Sequence, residues 1–141
     1  MKKVLLILPL LLLSGCFEEP ILDEKADLIW EGGVQFDVQY MYAKEYCENL
    51  SQGGFDNWRL PSVEELNTLK NSNILKGTDK ILSTYWSSDI NENNEIRLVG
   101  FGFKEYFKKG KLIPENQWVS KTTDYNYAKC VKSNFSGYLH H

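Results

Sequence analysis

The chain has 141 residues, with 16 lysines and arginines against 19 aspartates and glutamates, a net charge of −3, and only two histidines. That balance argues against nucleic acid as a partner, since its binders need a basic face. The length suits one domain, and an aromatic content of 13%, with four tryptophans and eight tyrosines, gives a small core large side chains to bury.

Met1-Lys2-Lys3 precedes an apolar run over residues 4–13. As a helix this run would measure about 15 Å, half of a bilayer's hydrocarbon core. It is too short to span but fits the apolar region of a signal peptide. Leu13-Ser14-Gly15-Cys16 resembles the bacterial lipobox, whose cysteine receives a diacylglycerol before the leader is cleaved. The expectation is a signal peptide over residues 1–15 and lipidation at Cys16. The competing reading is an ordinary secretory leader with an unrelated cysteine. Acyl chains would hold the mature chain on a membrane, each buried CH₂ contributing about 0.8 kcal/mol. In enteric bacteria an aspartate after the cysteine favours the inner membrane, so Phe17 points to the outer one. Loss of Lys2 and Lys3 with the leader takes the net charge from −3 to −5.

With Cys16 assigned to lipid, Cys47 and Cys130 remain. An even remainder in an exported domain argues for one disulfide. Two reactive thiols forming a redox pair are the alternative, although their separation lacks the C-x-x-C arrangement.

Residues 16–26 are polar and acidic around Pro20 and read as a lipidated tether. Residues 27–31 contain Leu28-Ile29-Trp30, a short strand ended by Gly32-Gly33. Over residues 38–50, Tyr40, Ala43, Cys47 and Leu50 recur at helical spacing, with Asp37 as N-cap and Gly53-Gly54 as the stop. Phe55-Asp56-Asn57-Trp58-Arg59-Leu60-Pro61 is a turn entering an extended stretch. Ser62-Val63-Glu64-Glu65 is a capping box opening a second helix, with Leu66 and Leu69 facing the core. Residues 70–80 read as a loop, 81–88 as a strand around Tyr85-Trp86, and 89–94 as a polar loop. Residues 95–107 are β structure holding Ile96, Leu98, Phe101 and Phe103. A lysine-rich turn follows at Lys108-Lys109-Gly110-Lys111. Residues 112–126 are ambiguous, because Leu112-Ile113 and Trp118-Val119 suit strands but Pro114 disfavours a central one. Residues 127–132 read as a strand carrying Cys130, and 133–141 as a tail.

The order of a cysteine late in a first helix, Gly-Gly, Asp56-Asn57-Trp58-Arg59-Leu60-Pro61-Ser62, Glu65-Leu66, Tyr85-Trp86-Ser87-Ser88 and Cys130-Val131-Lys132 resembles the C-terminal domain family of the Legionella collagen-like protein. Lys132 stands where that family usually has arginine. The resemblance covers most of residues 27–132. It implies an α+β fold of the C-type-lectin-like kind, related to the formylglycine-generating enzymes. Two helices would precede short antiparallel strands, with one disulfide joining the first helix to the last strand. The motif residues Trp58, Arg59, Leu60, Pro61, Glu65, Leu66 and Trp86 are then structural, Arg59 pairing with a carboxylate or stacking on a ring. Family members are exposed modules, and one branch adheres to sulfated polysaccharide, but fold alone does not carry function.

The two histidines are His140 and His141, at the extreme end, where a disordered tail is the simpler reading than a weak metal site. A Ser–His–Asp triad or a His-ligated zinc site needs an interior histidine. The thiol chemistry of the formylglycine-generating enzymes needs free sulfurs, which lipid and disulfide consume. Calcium needs six to eight oxygens, and neither Pro114-Glu115-Asn116 nor Asn91, Asn93 and Asn94 offers the lectin pattern. The expectation is therefore no metal, no cofactor and no catalysis. Lys104, Lys108, Lys109 and Lys111, interleaved with Tyr106 and Phe107, are candidates for contact with an anionic glycan. A lysine-rich tip also solubilises a hairpin and guards a strand edge. Trp118 is the tryptophan most suited to exposure; Trp30, Trp58 and Trp86 read as core.

The sequence thus predicts an envelope lipoprotein carrying a non-catalytic binding or adhesion module, its site formed by loops 70–80, 89–94 and 104–126. Its expected partners are the membrane, through lipid, and a glycan or protein ligand. A structural lipoprotein contacting another envelope protein is the alternative, and a carboxylate-based enzyme the least favoured reading.

Overall fold

A computed structural model describes residues 18–75, 83–102, 105–108, 111–114 and 118–134; for 105–108, 111–114 and 118 the description is of backbone only. The leader, Cys16, Lys104, Lys109 and the terminal histidines lie outside the described residues. The fold is α+β. Among the described residues two helices, α1 (Tyr40–Asn49) and α2 (Val63–Lys70), accompany ten strands: β1 (Ile21–Asp23), β2 (Leu28–Trp30), β3 (Gln35–Val38), β4 (Ser83–Ile90), β5 (Ile96–Phe101), β6 (Glu105–Lys108), β7 (Lys111–Pro114), β8 (Trp118–Ser120), β9 (Asn126–Ala128) and β10 (Val131–Ser133).

The strands form three sheets, ordered β1-β2-β10, β3-β9-β4-β5-β8 and β6-β7. Three strands precede the first helix: β2 is the strand expected over residues 27–31, and β1 and β3 are additions to the expected order. β1 and β3 are short and half exposed, so they lack the apolar alternation that announces a strand. β1 also falls inside the segment read as a tether, and the folded unit begins earlier than the sequence suggested. The β4–β9 contact is parallel, where only antiparallel pairs were expected. Residues 127–132 are two strands rather than one, because the chain crosses there from the five-stranded sheet to the three-stranded one. Cys130 lies in the crossing and belongs to neither strand.

The helices differ in how they start. Ser62 caps α2 as expected: its Oγ accepts from the Glu65 amide at 3.1 Å and the Ser62 amide donates to Glu65 Oε1 at 2.9 Å. The N-cap of α1 is Gln39, without a side-chain cap bond. Asp37 instead takes a positive φ of 49°, and its place near the helix start is filled by backbone: the Tyr40 amide donates to the Thr122 carbonyl at 3.3 Å. The helix ends at Leu50, which turns extended, before the positive-φ turn at Gly53 and Gly54.

Successive strand side chains point to opposite faces, and here both faces are covered. Ile29, Trp86 and Leu98 join Tyr40, Ala43 and Cys47 of α1 in one core cluster. Their sequence neighbours Leu28, Trp30, Tyr85 and Val99 join Leu66 and Leu69 of α2 in the other. Runs such as Leu28-Ile29-Trp30 and Leu98-Val99 are therefore apolar throughout. Trp30, Trp58 and Trp86 are all buried, and full burial of one large apolar side chain contributes about 1.5–3 kcal/mol.

Cys47 and Cys130 are bonded, with their Cα atoms 5.4 Å apart and a sequence separation of 83. Closing so long a loop restricts the unfolded chain, a contribution of about 4 kcal/mol in the chain-entropy treatment. Urea unfolding of the oxidised and reduced chain should therefore differ by roughly 3–5 kcal/mol; a difference below about 1 kcal/mol would show that the bridge closes a loop already ordered in the unfolded state.

Candidate binding surface

The crossing at Cys130 is held by a buried carboxylate. Glu31 follows β2 two residues after Ile29 and so faces the same cluster as Cys47. Its Oε1 accepts from the Cys130 amide at 2.8 Å, its Oε2 accepts from the Tyr46 hydroxyl at 2.8 Å, and its amide donates to the Cys130 carbonyl at 3.0 Å. Burial pushes the Glu31 carboxyl above its ordinary 4.5, and the Cys130 amide, the Tyr46 hydroxyl and the positive charge of Lys129 only partly pull it back. Lys129 is itself buried and donates to the Gly33 carbonyl at 2.8 Å. Glu31 and Lys129 were not singled out by the sequence reading. The available signal was a carboxylate in line with an apolar strand.

The motif around Trp58 spends its polar atoms inside the fold. Trp58 Nε1 donates to the Phe55 carbonyl at 2.9 Å. Arg59 exchanges backbone hydrogen bonds with Val131, both 2.9 Å, so it extends the three-stranded sheet. Its guanidinium grips Glu65 with both forks, at 2.7 and 2.8 Å. Pro61 accepts from the Ser88 amide at 2.8 Å. Trp86 Nε1 donates to the Val38 carbonyl at 2.7 Å, and Ser87 Oγ to the Arg97 carbonyl at 2.7 Å. Leu60 and Leu66 are buried. Burial pushes the Glu65 carboxyl up, but the Arg59 guanidinium and the Ser62 donors outweigh it and hold it below 4.5.

Open surface lies at the end of β4 and β5. An eight-residue helix is about 12 Å long, whereas β4, also eight residues, extends for about 26 Å. α2 therefore covers only part of its sheet. A shallow groove of about 700 Å³ remains, lined by Val63, Glu64 and Asn67 of α2 and by Ser88, Asp89, Ile90 and Arg97. It meets a second depression of about 350 Å³ that shares Ile90 and Arg97 and adds Asn91, Glu92 and Asn93. Ile90 is 54% exposed. Asp89 shapes the groove by accepting from the Val63 amide at 3.2 Å. The asparagine turn is closed on itself: Asn91 Oδ1 accepts from the amides of Asn93 and Glu95, both at 2.9 Å. Asn91 Oδ1 thus serves the turn, and among the described residues no group of three or more His, Cys, Asp or Glu side chains converges.

The groove offers amides, carboxylates, one guanidinium and an isoleucine, a surface for holding a polar ligand. Part of it falls in residues 89–94, one of the three segments named as candidates in the sequence. Ile90 and Arg97 were missed, although alternation in β5 places Arg97 opposite Ile96 and Leu98. Of the lysine candidates, Lys108 and Lys111 are register partners at the tip of the β6-β7 ribbon. Their side chains, Lys104, Lys109 and the ring of Trp118 lie outside the described residues. Backbone places Trp118 on β8, opposite Leu98 at the sheet edge.

The family model of the Lcl C-terminal domain matches residues 19–137. The chain belongs to that family. The match starts on the N-terminal side of β1, runs past β10, and takes in the Trp58 motif and both bonded cysteines. In this Lcl domain the Lys132 ammonium lies 4.9 Å from the centre of the Phe55 ring, so the cation has a stacking partner. No curated protein matches the chain.

Glu31, which is buried, and Glu65, which is half-buried, give opposite pH responses on either side of 4.5. Glu31 holds its proton more tightly folded than unfolded, so its contribution to stability is fully present below 4.5 and is lost as pH rises through the raised folded value. Glu65 is held down, so its contribution is present above 4.5 and lost as pH falls through the lowered folded value. Urea unfolding across pH should show Glu31→Gln removing the loss on the alkaline side and Glu65→Gln removing the loss on the acid side. A Glu31→Gln profile parallel to that of the unaltered chain would contradict the assignment.

Proposed function

We propose that this chain is a lipid-anchored bacterial envelope protein whose Lcl domain is a non-catalytic binding or adhesion module, with Cys16 as the acylated residue and the outer membrane as its site. The observation that supports this reading best is the motif's chemistry. The polar side-chain atoms of Trp58, Arg59, Ser62, Glu65, Trp86 and Ser87 are engaged in holding the fold together, which leaves recognition to open, shallow surface. The leader and lipobox pattern supplies the address. The family match supports the Lcl module, and the resemblance in sequence implies its C-type-lectin-like character.

The ligand surface we favour is the groove around Ile90 and Arg97, facing a glycan or a protein loop. Its mixture of amide, carboxylate and guanidinium groups suits hydroxyl and backbone recognition, and its openness suits an extended ligand. The alternative, a structural contact with another envelope protein, draws support from Phe36 and Tyr125, exposed aromatic residues on and beside the β3-β9 edge.

Binding of the acylated chain to a glycan array and to isolated envelope proteins tests the reading. Arg97→Glu combined with Ile90→Ser should weaken the ligand found by about tenfold or more, or at least 1.4 kcal/mol, with the unfolding midpoint unchanged. No ligand in either screen, or a ligand indifferent to both changes, would count against the groove. Incorporation of an alkyne fatty acid into the chain, abolished by Cys16→Ser, is the expected result for the anchor.

A further inference from the structure

The chain is fixed to the domain from Glu18 onward. A Cβ on Gly32 would collide with the Glu19 carbonyl oxygen and come within 2.8 Å of Glu18 Cβ, and a Cβ on Gly53 would come within 2.7 Å of Pro20 Cγ. The two glycine turns thus form a cradle for residues 18–20. The Gly32 amide ties them together by donating to Gln52 Oε1 at 2.8 Å. β1 begins directly afterwards at Ile21. Cys16 stands two residues before Glu18 in the sequence. Each residue spans at most about 3.6 Å, so a lipid carried on Cys16 is held within about 7 Å of Glu18.

The surface beside this exit has a composition of its own. Leu22, Ile29 and Lys132 are register partners across β1, β2 and β10, so they share a face. Ile29 is buried, while Leu22, on the sheet edge, is 48% exposed. The Phe55 ring lies 3.6 Å from a Cβ built on Gly53, carries the Lys132 ammonium above it, and is 39% exposed. Pro20, Phe55, Lys132 and Leu22 therefore form an apolar patch with one cation next to the point where the chain leaves for Cys16. An aromatic ring at headgroup level and a lysine whose stem lies on apolar surface suit a membrane interface. Glu18, Glu19 and Asp56 stand beside the patch, which fits zwitterionic headgroups better than anionic ones.

We propose that the face bearing Leu22, Phe55 and Lys132 is seated on the bilayer that the acyl chains of Cys16 enter. The domain is then held against the membrane in one orientation rather than displayed on a flexible stalk. This rests on the lipid-anchor reading given above.

The test uses the acylated full chain reconstituted in phosphatidylcholine vesicles that carry a brominated lipid as quencher. A fluorophore is placed on Asp56→Cys or, in the turn of the other sheet, on Asn93→Cys; both positions are exposed, so the fold tolerates the label. Quenching of the Asp56 label should be several-fold stronger than that of the Asn93 label. The excess should disappear when a long glycine–serine linker is inserted between Phe17 and Glu18. Equal quenching at the two positions, in protein whose acylation at Cys16 is verified by mass spectrometry, would overturn the seated orientation and leave the anchor standing. Absence of acyl mass on Cys16 would overturn both.

Discussion

Cys130 is the point on which the two larger sheets depend. Its sulfur is bonded to Cys47 in α1, its amide and carbonyl are both taken by Glu31, and the next residue exchanges hydrogen bonds with Arg59. One residue thus joins β2, the first helix, the crossing strand and the Trp58 segment. A buried carboxylate costs several kcal/mol when left unpaired. Glu31 is tolerated because the Cys130 amide and the Tyr46 hydroxyl each take one of its oxygens, with Lys129 nearby. Polar groups in this interior fix where the chain must cross, and the apolar clusters on either side supply the bulk of the stabilisation.

The same economy explains where open surface remains. Each of the two apolar clusters is packed by one short helix, and the short α2 cannot cover the whole of β4 and β5. What it leaves bare is the groove at Ile90 and Arg97. The groove is therefore a consequence of helix length against strand length, and it sits beside the motif.

Much of this was legible from residue spacing. The capping box at Ser62, the stripe from Tyr40 to Cys47, the burial of Trp30, Trp58 and Trp86 and the pairing of the two cysteines all follow from local pattern or simple accounting. What escaped has a physical reason in each case. β1 and β3 are edge strands with half-exposed side chains, so periodicity is silent about them. The break at Cys130 is invisible because residues on both sides of it are extended; only the change of sheet separates β9 from β10. Asp37 resembles a cap in sequence, but a backbone carbonyl from the distant residue Thr122 meets the helix start instead. Glu31 looked like the polar end of a strand, since its partners, Cys130 and Tyr46, are far away in sequence. The groove was half visible, through loop 89–94, while its α2 side required the tertiary arrangement.

The junction of Glu31 and Cys130 should therefore be the last part of the fold to open. Native-state hydrogen exchange measures this directly. The amides of Glu31, Arg59, Cys130 and Val131 should exchange only through global unfolding, with the same free energy and the same denaturant dependence as the whole domain. Exchange of these amides through local opening, as fast as that of the Asn94 amide in the β4-β5 turn, would contradict the account.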